Sequence, residues 1–402
     1  MAIVPTTQKA RELIESIHKS GLKAPRTIIF GKGRLNELGE LAFPFASGRR
    51  ALLVLGGESA RRQGLDQRVR SLLERYTIPT DIIEGMNREP TVALVDEMAA
   101  RARELKPALI VSAGGGSVID TGKTLAALTA NEGSVESYLE GVGDGRSLEH
   151  PPLPHIAIPT VAGTGAEMTR NAVIASPEKQ FKRSLRTEAI LPSVALLDSL
   201  LTVSCPPEIT AASGMDTLTQ LFESCISLKH RPQTSQLANE GLRLVRAALP
   251  VCVDAPGNEA SRDRMMLASM LSGVCLANSG LGMAHGIAAA LGALFNVPHG
   301  LACGILLPHV LRYNHGECAK ELSYAMAAFM NLDNPTPQVV EDGLAALENL
   351  GAQIGVPPNL KAMNLTEDDV NLIAEKSMGT SMAGNPVPMT PEHVRNFLQP
   401  LV

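Results

Sequence analysis

Four polar side chains in apolar surroundings are the residues of this sequence best placed to do chemistry. His285 and His299 lie in GMAHGIAAALGALFNVPHG, a segment that is otherwise almost entirely small and apolar. Asp216 and Gln220, four positions apart in GMDTLTQLFE, share one helix face. Unpaired polar groups are costly in an apolar interior, so these side chains need partners. A zinc or ferrous ion accepts a carboxylate, an amide oxygen and neutral imidazoles together. The predicted metal ligands are Asp216, Gln220, His285 and His299.

Each of these residues also has a purely structural interpretation. Asp216 follows a glycine and is typical of a helix start, and a glutamine such as Gln220 is most often a surface residue. A single histidine in an apolar helix is more often a hydrogen-bonded core residue than a ligand, and PHG at 298–300 is compatible with the end of a helix. We interpret His155 and His309 as structural.

A glycine-rich turn follows a strand-like run in LIVSAGGGSVIDTGK (109–123). Glycines at the carboxyl end of a strand let the backbone approach a ligand, and the next helix directs free N–H groups and its positive end at an anion. Asp120, one turn into that helix, is placed to bind a ribose or to cap the helix. A turn with packing duties only is the alternative. The predicted pyrophosphate site is formed by Gly114, Gly115, Gly116 and Ser117.

A second loop of small residues follows another strand in IPTVAGTGAEMTR (158–170). It contains Thr160, Gly163, Thr164 and Gly165, and so offers hydroxyl groups and backbone amides instead of bulk. Two such loops after parallel strands converge on one crevice, where open α/β sheets bind nucleotides. This second loop favours the nucleotide-binding interpretation over a simple packing turn.

Composition and length define the general class of protein. A chain of 402 residues predicts two domains, and a formal charge of −5 provides no basic stripe for nucleic acid. Six cysteines occur singly, which is typical of reduced thiols in the cytoplasm. The N-terminal sequence has no signal-peptide pattern, and no apolar run of about 18 residues predicts a membrane span.

The elements that must position these residues change in character near residue 200. Apolar runs at 49–57, 80–85, 107–116, 155–160 and 194–199 predict buried strands, which alternate with helical patterns such as 90–106. Helical periodicity then dominates at 206–228, 234–253, 261–280 and 336–355. We therefore predict an α/β dinucleotide-binding domain with a parallel sheet at 1–200 and an all-α, metal-binding catalytic domain at 201–402.

Five ordered motifs give the sequence a family resemblance. AGGGSVIDTGK, PTVAGTGAEMT, ASGMDTLTQLFES, GLGMAHGIAAALG and NVPHGLACGILLPHV together resemble the iron-containing, or group III, alcohol dehydrogenases, and the likeness extends from 27–41 to 385–398. The resemblance implies a Rossmann-like domain, a dehydroquinate synthase-like helical domain, NAD(P), a catalytic divalent metal and a homodimer or larger oligomer. The residues that it implies for the nucleotide are Gly114, Gly115, Ser117, Asp120, Thr160, Thr164 and Lys182, and for catalysis at the metal Asp216, His285 and His299 with Gln220.

Two positions depart from the family pattern. The family commonly has histidine where this chain has Gln220, and a proton-relay histidine where this chain has Ala289. An amide binds a divalent ion more weakly than an imidazole, so the metal content is open, with zinc or iron as the candidates. Proton exchange would have to run through water or a cofactor hydroxyl group.

The choice between NAD and NADP is also open from the sequence. The first strand ends in Gly56 and Gly57, where relatives that prefer NAD often carry an aspartate, and this leaves room for a 2′-phosphate. Arg61 or Arg62 is placed to pair with that phosphate, whereas Glu58 would repel it.

The expected reaction is reversible hydride transfer between nicotinamide and a small alcohol or aldehyde, with the metal as Lewis acid. Alternatives on the same scaffold are a polyol or glycerol dehydrogenase, a maleylacetate reductase and a phosphonate-pathway reductase. An alternative of another class is a nucleotide-binding protein without metal or catalysis, which Gln220 and Ala289 would favour.

Overall fold

The computed structural model of the chain describes residues 6–86 and 89–402, without the side chains of Glu58, Ser59 and Met86. Two compact units are present. The first comprises residues up to 161 together with 166–202, and the second comprises 162–165 together with 203–402.

The first unit is built from alternating strands and helices. Its strands are β1 (Thr27–Phe30), β2 (Ala51–Gly56), β3 (Thr80–Met86), β4 (Leu109–Gly114), β5 (His155–Pro159), β6 (Asn171–Ser176), β7 (Phe181–Arg186) and β8 (Val194–Leu197). Its helices are α1 (Thr6–Lys19), α2 (Leu38–Ala46), α3 (Glu58–Arg62), α4 (Leu65–Glu74), α5 (Val92–Leu105) and α6 (Gly116–Ala130).

Six of these strands form one parallel sheet in the order β1-β8-β5-β4-β2-β3. Strands β2, β4 and β5 are rich in Val, Ile and Leu and are buried, as expected for a sheet covered on both faces. One apolar core packs α2 and α4 against the sheet, and another packs α5 and α6 against it. The predicted α/β architecture with a parallel sheet is confirmed.

Three strands have no counterpart among the five apolar runs in the sequence. β1 has four residues, of which only alternate ones are buried. β6 and β7 form an antiparallel hairpin, and β7 is the largely polar sequence FKRSLR. An apolar-run criterion detects strands that are buried on both faces, so it does not detect short or half-exposed ones.

The second unit is helical throughout its named elements. These are α7 (Pro207–Ile226), α8 (Pro232–Asp254), α9 (Glu259–Ser279), α10 (Met283–Phe295), α11 (His299–Asn314), α12 (Ala319–Phe329), α13 (Val339–Gln353), α14 (Glu367–Lys376) and α15 (Pro391–Leu398). The four helical patterns predicted in this half correspond to α7, α8, α9 and α13. The predicted all-α architecture is confirmed.

A sharp break separates α10 from α11. Asn296 ends α10 in the left-handed conformation, with φ 55°, and Pro298 immediately precedes the first residue of α11. Proline favours the start of a helix because its fixed φ suits that position and its missing N–H has no partner to lose there. The interpretation of PHG at 298–300 as a helix end is therefore wrong: this sequence begins a helix, and His299 lies in its first turn.

Taken singly, the helices within the described ranges are too short or too polar to cross a bilayer. Only as a pair do helices α9 and α10 have the length and apolar composition of a membrane span, and a bend of 102° separates them.

Candidate active site

A cluster of polar side chains, all buried except the partly exposed His299, lies in the second unit on three helices that are distant in sequence. Asp216 comes from α7, His285 from α10 and His299 from α11. Asp216 Oδ1 is 3.2 Å from His285 Nε2 and 3.8 Å from His299 Nε2. The centroids of the two imidazole rings are 5.5 Å apart. The structure thus brings together three of the four residues that the sequence predicts as metal ligands.

Cys303 is a fourth member of this cluster and was not predicted from the sequence. Its Sγ atom is 3.8 Å from His299 Nε2, one helical turn along α11. One ligand atom each from Asp216, His285, His299 and Cys303 can be chosen so that all lie within 4.8 Å of one another. The four-residue spacing from His299 to Cys303 was the available signal, because residues four apart share a helix face.

Gln220 lies one turn after Asp216 on α7 and is buried. Its Oε1 atom is shielded from solvent and has no hydrogen-bond partner among the residues that the structure describes. A buried amide oxygen is normally hydrogen-bonded, so an orphaned one points to a group that is not part of the protein chain. This observation and the chemistry of the neighbouring donors fit a divalent cation.

Glu223 holds His285 in place. Its Oε2 atom accepts a hydrogen bond from the Gly282 N–H at 2.9 Å and lies 2.6 Å from His285 Nδ1, and its Oε1 atom accepts from the Ala284 N–H at 2.7 Å. A carboxylate on Nδ1 fixes the ring orientation and leaves Nε2 facing Asp216, which is the usual outer-shell arrangement of a metal-binding histidine. Sequence reasoning missed Glu223, although it lies two turns after Asp216 on the same face of α7.

Burial and the neighbouring charges shift the pKa values of the side chains in this cluster. Burial disfavours the imidazolium, but Cys303, Glu223 and Asp216 outweigh burial and raise the pKa of His285 well above its ordinary value. Burial alone would raise the pKa of Asp216, yet His285 and His299 lower it. Burial raises the pKa of the Cys303 thiol to about 11, against the pull of His285. The raised pKa of His285 is the shift expected where neighbouring acidic groups favour a positive charge.

The role of Glu223 leads to a first prediction. In Glu223→Gln, one carboxylate oxygen becomes an NH₂ group that cannot accept a hydrogen bond, so at least one of the three contacts is lost: the Ala284 contact if Oε1 is replaced, or the Gly282 and His285 contacts if Oε2 is replaced. We expect the affinity for a divalent cation to fall by about 10- to 100-fold, the usual effect of losing an outer-shell partner. Competition with a chromogenic chelator measures that affinity. Glu341→Gln, on the exposed side of α13, is the matched control, and an unaltered affinity in Glu223→Gln would refute the positioning role.

The predicted pyrophosphate site lies at the carboxyl edge of the sheet in the first unit. β4 ends at Gly114, Gly115 precedes α6, and Gly116 and Ser117 begin that helix. A Cβ atom on Gly114 would lie 2.5 Å from Val118, so this position requires glycine. Because β2 and β5 flank β4 in parallel, Gly56 and Thr160 end or follow strands at the same edge. The Thr160 N–H donates to the Gly114 carbonyl at 3.0 Å.

The sheet order creates a switch point at this edge. The two helices that follow β2, α3 and α4, pack in one core, and the helix that follows β4, α6, packs in the core on the opposite face. Connections that leave neighbouring strands toward opposite faces open a crevice beyond their carboxyl ends. The fold thus supplies the crevice that the glycine motif predicts.

Asp120 is part of a buried ion pair. Its Oδ1 accepts from Lys123 Nζ at 3.2 Å, and its Oδ2 accepts from the Val173 N–H at 2.9 Å. Lys123 also donates to Thr169 Oγ1 and to the Asn171 carbonyl. Burial raises the pKa of Asp120 and lowers the pKa of Lys123, while their mutual attraction opposes both shifts. The two carboxylate oxygens of Asp120 are thus bonded to Lys123 and Val173 and not to the first N–H groups of α6, and its ribose contact stays a prediction.

Two basic side chains near the predicted nucleotide site already have acidic partners. Lys182 on β7 pairs with Glu89, and its charge also lowers the pKa of Asp120 against the effect of burial. Arg61 on α3 is bound by both carboxylate oxygens of Glu84 on β3, with Arg61 Nε 2.9 Å from Oε1. Gly57 follows β2 at the same edge, and the Glu58 side chain lies outside the described residues.

The second small-residue loop belongs in part to the helical unit. Residues 162–165 group with that unit, and the Gly163 carbonyl accepts from Thr217 Oγ1 at 2.8 Å. Gly165 has φ 59° and packs on Gly273 of α9 so closely that a Cβ atom on either would lie within 3 Å of the other's backbone. Thr164, a predicted nucleotide contact, is therefore carried by a loop that α7 and α9 hold.

An α/β unit with a glycine-rich sheet edge and a helical unit with a buried carboxylate–imidazole cluster define the class of metal-dependent dehydrogenases that use a dinucleotide. The sequence profile of "Iron-containing alcohol dehydrogenase" matches residues 25–199, and that of "Fe-containing alcohol dehydrogenase family, C-terminal" matches residues 210–402. The chain belongs to the iron-containing alcohol dehydrogenase family.

Individual relatives agree with this assignment over nearly the whole chain. The NADPH-dependent butanol dehydrogenase of Clostridium saccharobutylicum is 30% identical over 93% of this chain and 96% of its own length. A 1,3-propanediol oxidoreductase structure superimposes with a TM-score of 0.88 at 30% identity, covering 95% of this chain and 99% of the other. The sulfoacetaldehyde reductase of Bifidobacterium kashiwanohense, in complex with NAD+, gives 0.85 at 29% identity, with 94% and 97% covered.

The family fixes the general activity. This protein is an NAD(P)-linked oxidoreductase that acts on the CH–OH group of small alcohols or on the corresponding aldehydes, and its family uses a nicotinamide cofactor and a divalent metal. The prediction of an alcohol dehydrogenase from five motifs is confirmed.

Proposed function

We propose that Asp216, His285 and His299 hold the catalytic divalent cation, with Gln220 as a weaker donor. Their proximity on three separate helices, together with the orphaned Gln220 Oε1 atom, supports this assignment. When bound, the cation supplies Lewis acidity toward the substrate oxygen, and the nicotinamide supplies or accepts the hydride.

The protein's own residues prepare the site for this chemistry. Glu223 orients His285 so that Nε2 faces the cluster centre, and Asp216 contributes negative charge that attracts a cation. The small apolar residues of α10 exclude water, which would otherwise screen the charge. This buried donor set favours a catalytic metal site over the alternative of a metal-free nucleotide-binding protein.

We further propose that the nucleotide lies along the carboxyl edge of the sheet. Gly56, Gly57, Gly114, Gly115, Gly116 and Ser117 supply backbone close to the phosphates, and Asp120, Thr160, Thr164 and Lys182 supply side chains. A 2′-phosphate would have to compete with Glu84 for Arg61, because Arg61 is already paired in a two-point contact. This pairing favours NAD over NADP.

The proposed substrates are small alcohols and aldehydes, with short diols as a second candidate because a 1,3-propanediol oxidoreductase is among the similar structures. A homodimer or larger homo-oligomer is proposed from family membership.

One experiment tests the metal, the cofactor and the substrate together. The purified protein is analysed for metals, stripped with a chelator, and reloaded with Fe²⁺ or Zn²⁺. Nicotinamide absorbance is then followed with butanol, 1,3-propanediol, glycerol and their aldehydes. We expect turnover to disappear on stripping, to return on reloading, and to be faster with NAD(H). Full turnover by the stripped protein would overturn the metal proposal, and faster turnover with NADP(H) than with NAD(H) would overturn the cofactor proposal.

A further inference from the structure

Cys303 differs from the other five cysteines in its neighbours. All six are buried and free, but the metal-type cluster in the described residues contains Cys303. Its sulfur lies 3.8 Å from His299 Nε2, and one ligand atom of each of the four residues lies within 4.8 Å of the other three. A buried cysteine usually serves as a small apolar residue. Proximity to three other donors of one site requires a different explanation.

Three donor–donor distances within the cluster are close to the edges of a tetrahedral metal coordination shell, and the remaining ones are within 4.8 Å. Zinc binds nitrogen and oxygen at about 2.0–2.1 Å and sulfur at about 2.3 Å, so tetrahedral geometry places N and O donors about 3.3 Å apart and N and S donors about 3.6 Å apart. Asp216 Oδ1 is 3.2 Å from His285 Nε2 and 3.8 Å from His299 Nε2. Cys303 Sγ is 3.8 Å from His299 Nε2. Each of these separations is within about half an ångström of the ideal edge.

We propose that Cys303 Sγ is a ligand of this metal site and completes a set of one carboxylate, two imidazoles and one thiolate. This inference rests on the proposed function, because it adds a donor to the same site. The sulfur binds as a thiolate and releases its proton to solvent when the cation enters. Catalytic zinc sites sometimes expand to five donors, and such an expansion admits a substrate oxygen beside four protein ligands.

The thiolate of Cys303 compensates for the weak donor Gln220. Gln220 offers a neutral amide oxygen, whereas Cys303 offers an anionic sulfur one turn from His299. Thiolate ligands favour zinc over ions that prefer oxygen and nitrogen donors. The structure therefore assigns this chain a stronger preference for Zn²⁺ over Fe²⁺ than a site with the amide as fourth donor would have.

Cobalt substitution tests this assignment without measuring activity. The full-length protein is stripped, loaded with Co²⁺, and examined for the near-ultraviolet charge-transfer absorption that a thiolate–cobalt bond produces. We expect this band in the wild-type protein and in Gln220→Ala, and its absence in Cys303→Ala. Cys252→Ala, which removes a buried thiol from α8, is the matched control and should retain the band. Because the wild-type spectrum itself tests the bond, a folding defect in one variant does not remove the test.

Metal competition provides a second measurement. In Cys303→Ala we expect the affinity for Zn²⁺ to fall by at least about tenfold, the lower limit seen even for outer-shell losses, and the preference for Zn²⁺ over Fe²⁺ to fall with it. A wild-type protein that binds Co²⁺ without the thiolate band would overturn the Cys303 assignment and leave the proposed function intact. A wild-type protein that binds no divalent cation would overturn both.

Discussion

Replacing His285 with alanine is expected to remove the bound cation and to lower kcat/KM by a factor of about a thousand or more. Lewis-acid polarisation contributes several kcal/mol to such reactions, and each 1.36 kcal/mol corresponds to a factor of ten in rate. His285 touches both Asp216 and Glu223, so its loss leaves two buried carboxylates facing a cavity. Steady-state kinetics and elemental analysis of the purified variant measure the two effects.

The control for this variant must remove an imidazole elsewhere. His393→Ala removes an exposed ring near the start of α15, and we expect both metal content and kcat/KM to be unchanged. The thermal midpoint of His285→Ala shows whether the fold survives. A folded His285→Ala protein that keeps its metal and its turnover would mean that the cluster is structural, and the assignment of the catalytic site would be wrong.

The sequence identifies His285 and His299 because each is a polar residue in an apolar stretch of sequence. In GMAHGIAAALG an imidazole is the only strongly polar side chain, so burial of the segment implies that the ring has a partner. Asp216 stands out on α7 for the same reason. The spatial meeting of three helices is not a local property of the sequence, and only the motif resemblance linked the segments before the fold was known.

Glu223 and Cys303 are two residues of the site that could not be identified by a contrast between a polar side chain and apolar neighbours in the sequence. A glutamate late in a long helix pattern is usually a solvated residue, and nothing near Glu223 in the sequence indicates that its carboxylate meets the backbone N–H groups of Gly282 and Ala284. A cysteine among apolar residues such as those around Cys303 is typical of ordinary core packing. Both residues lie at helical spacing from a predicted ligand, and this spacing is the only sequence evidence for them.

The sequence predicted those elements of the fold in which all residues are buried to a similar degree. The strands of the parallel sheet that are covered on both faces are continuous apolar runs, but the hairpin of β6 and β7 is half exposed and carries Lys182, so its pattern is weak. The placement of residues 162–165 depends on a backbone contact with α9. Glycines make that contact possible and give no apolar signal of their own.

The last prediction concerns the contact between Gly165 and Gly273. A Cβ atom on residue 273 would lie 2.3 Å from the Gly165 carbonyl oxygen, and the obstacle is backbone, which cannot rotate away as a flexible side chain can. We expect Gly273→Ala to lose about 3 kcal/mol of stability or more, at the upper end of the cost of overpacking. For a domain of about 200 residues, this corresponds to a fall in the thermal midpoint of roughly 6–12 °C.

The same substitution should also weaken nucleotide binding. Helix α9 and the loop must separate to admit the methyl group, and Thr164, the predicted nucleotide contact, immediately precedes Gly165. We therefore expect the KM for the nicotinamide cofactor to rise more than the KM for the alcohol. Calorimetry and cofactor titration measure both effects.

Gly316→Ala is the matched control, because a Cβ atom there meets no other described atom within 4 Å. If Gly273→Ala melts at the same temperature as Gly316→Ala, the close approach of α9 to this loop does not exist in solution, and Thr164 is not positioned by it.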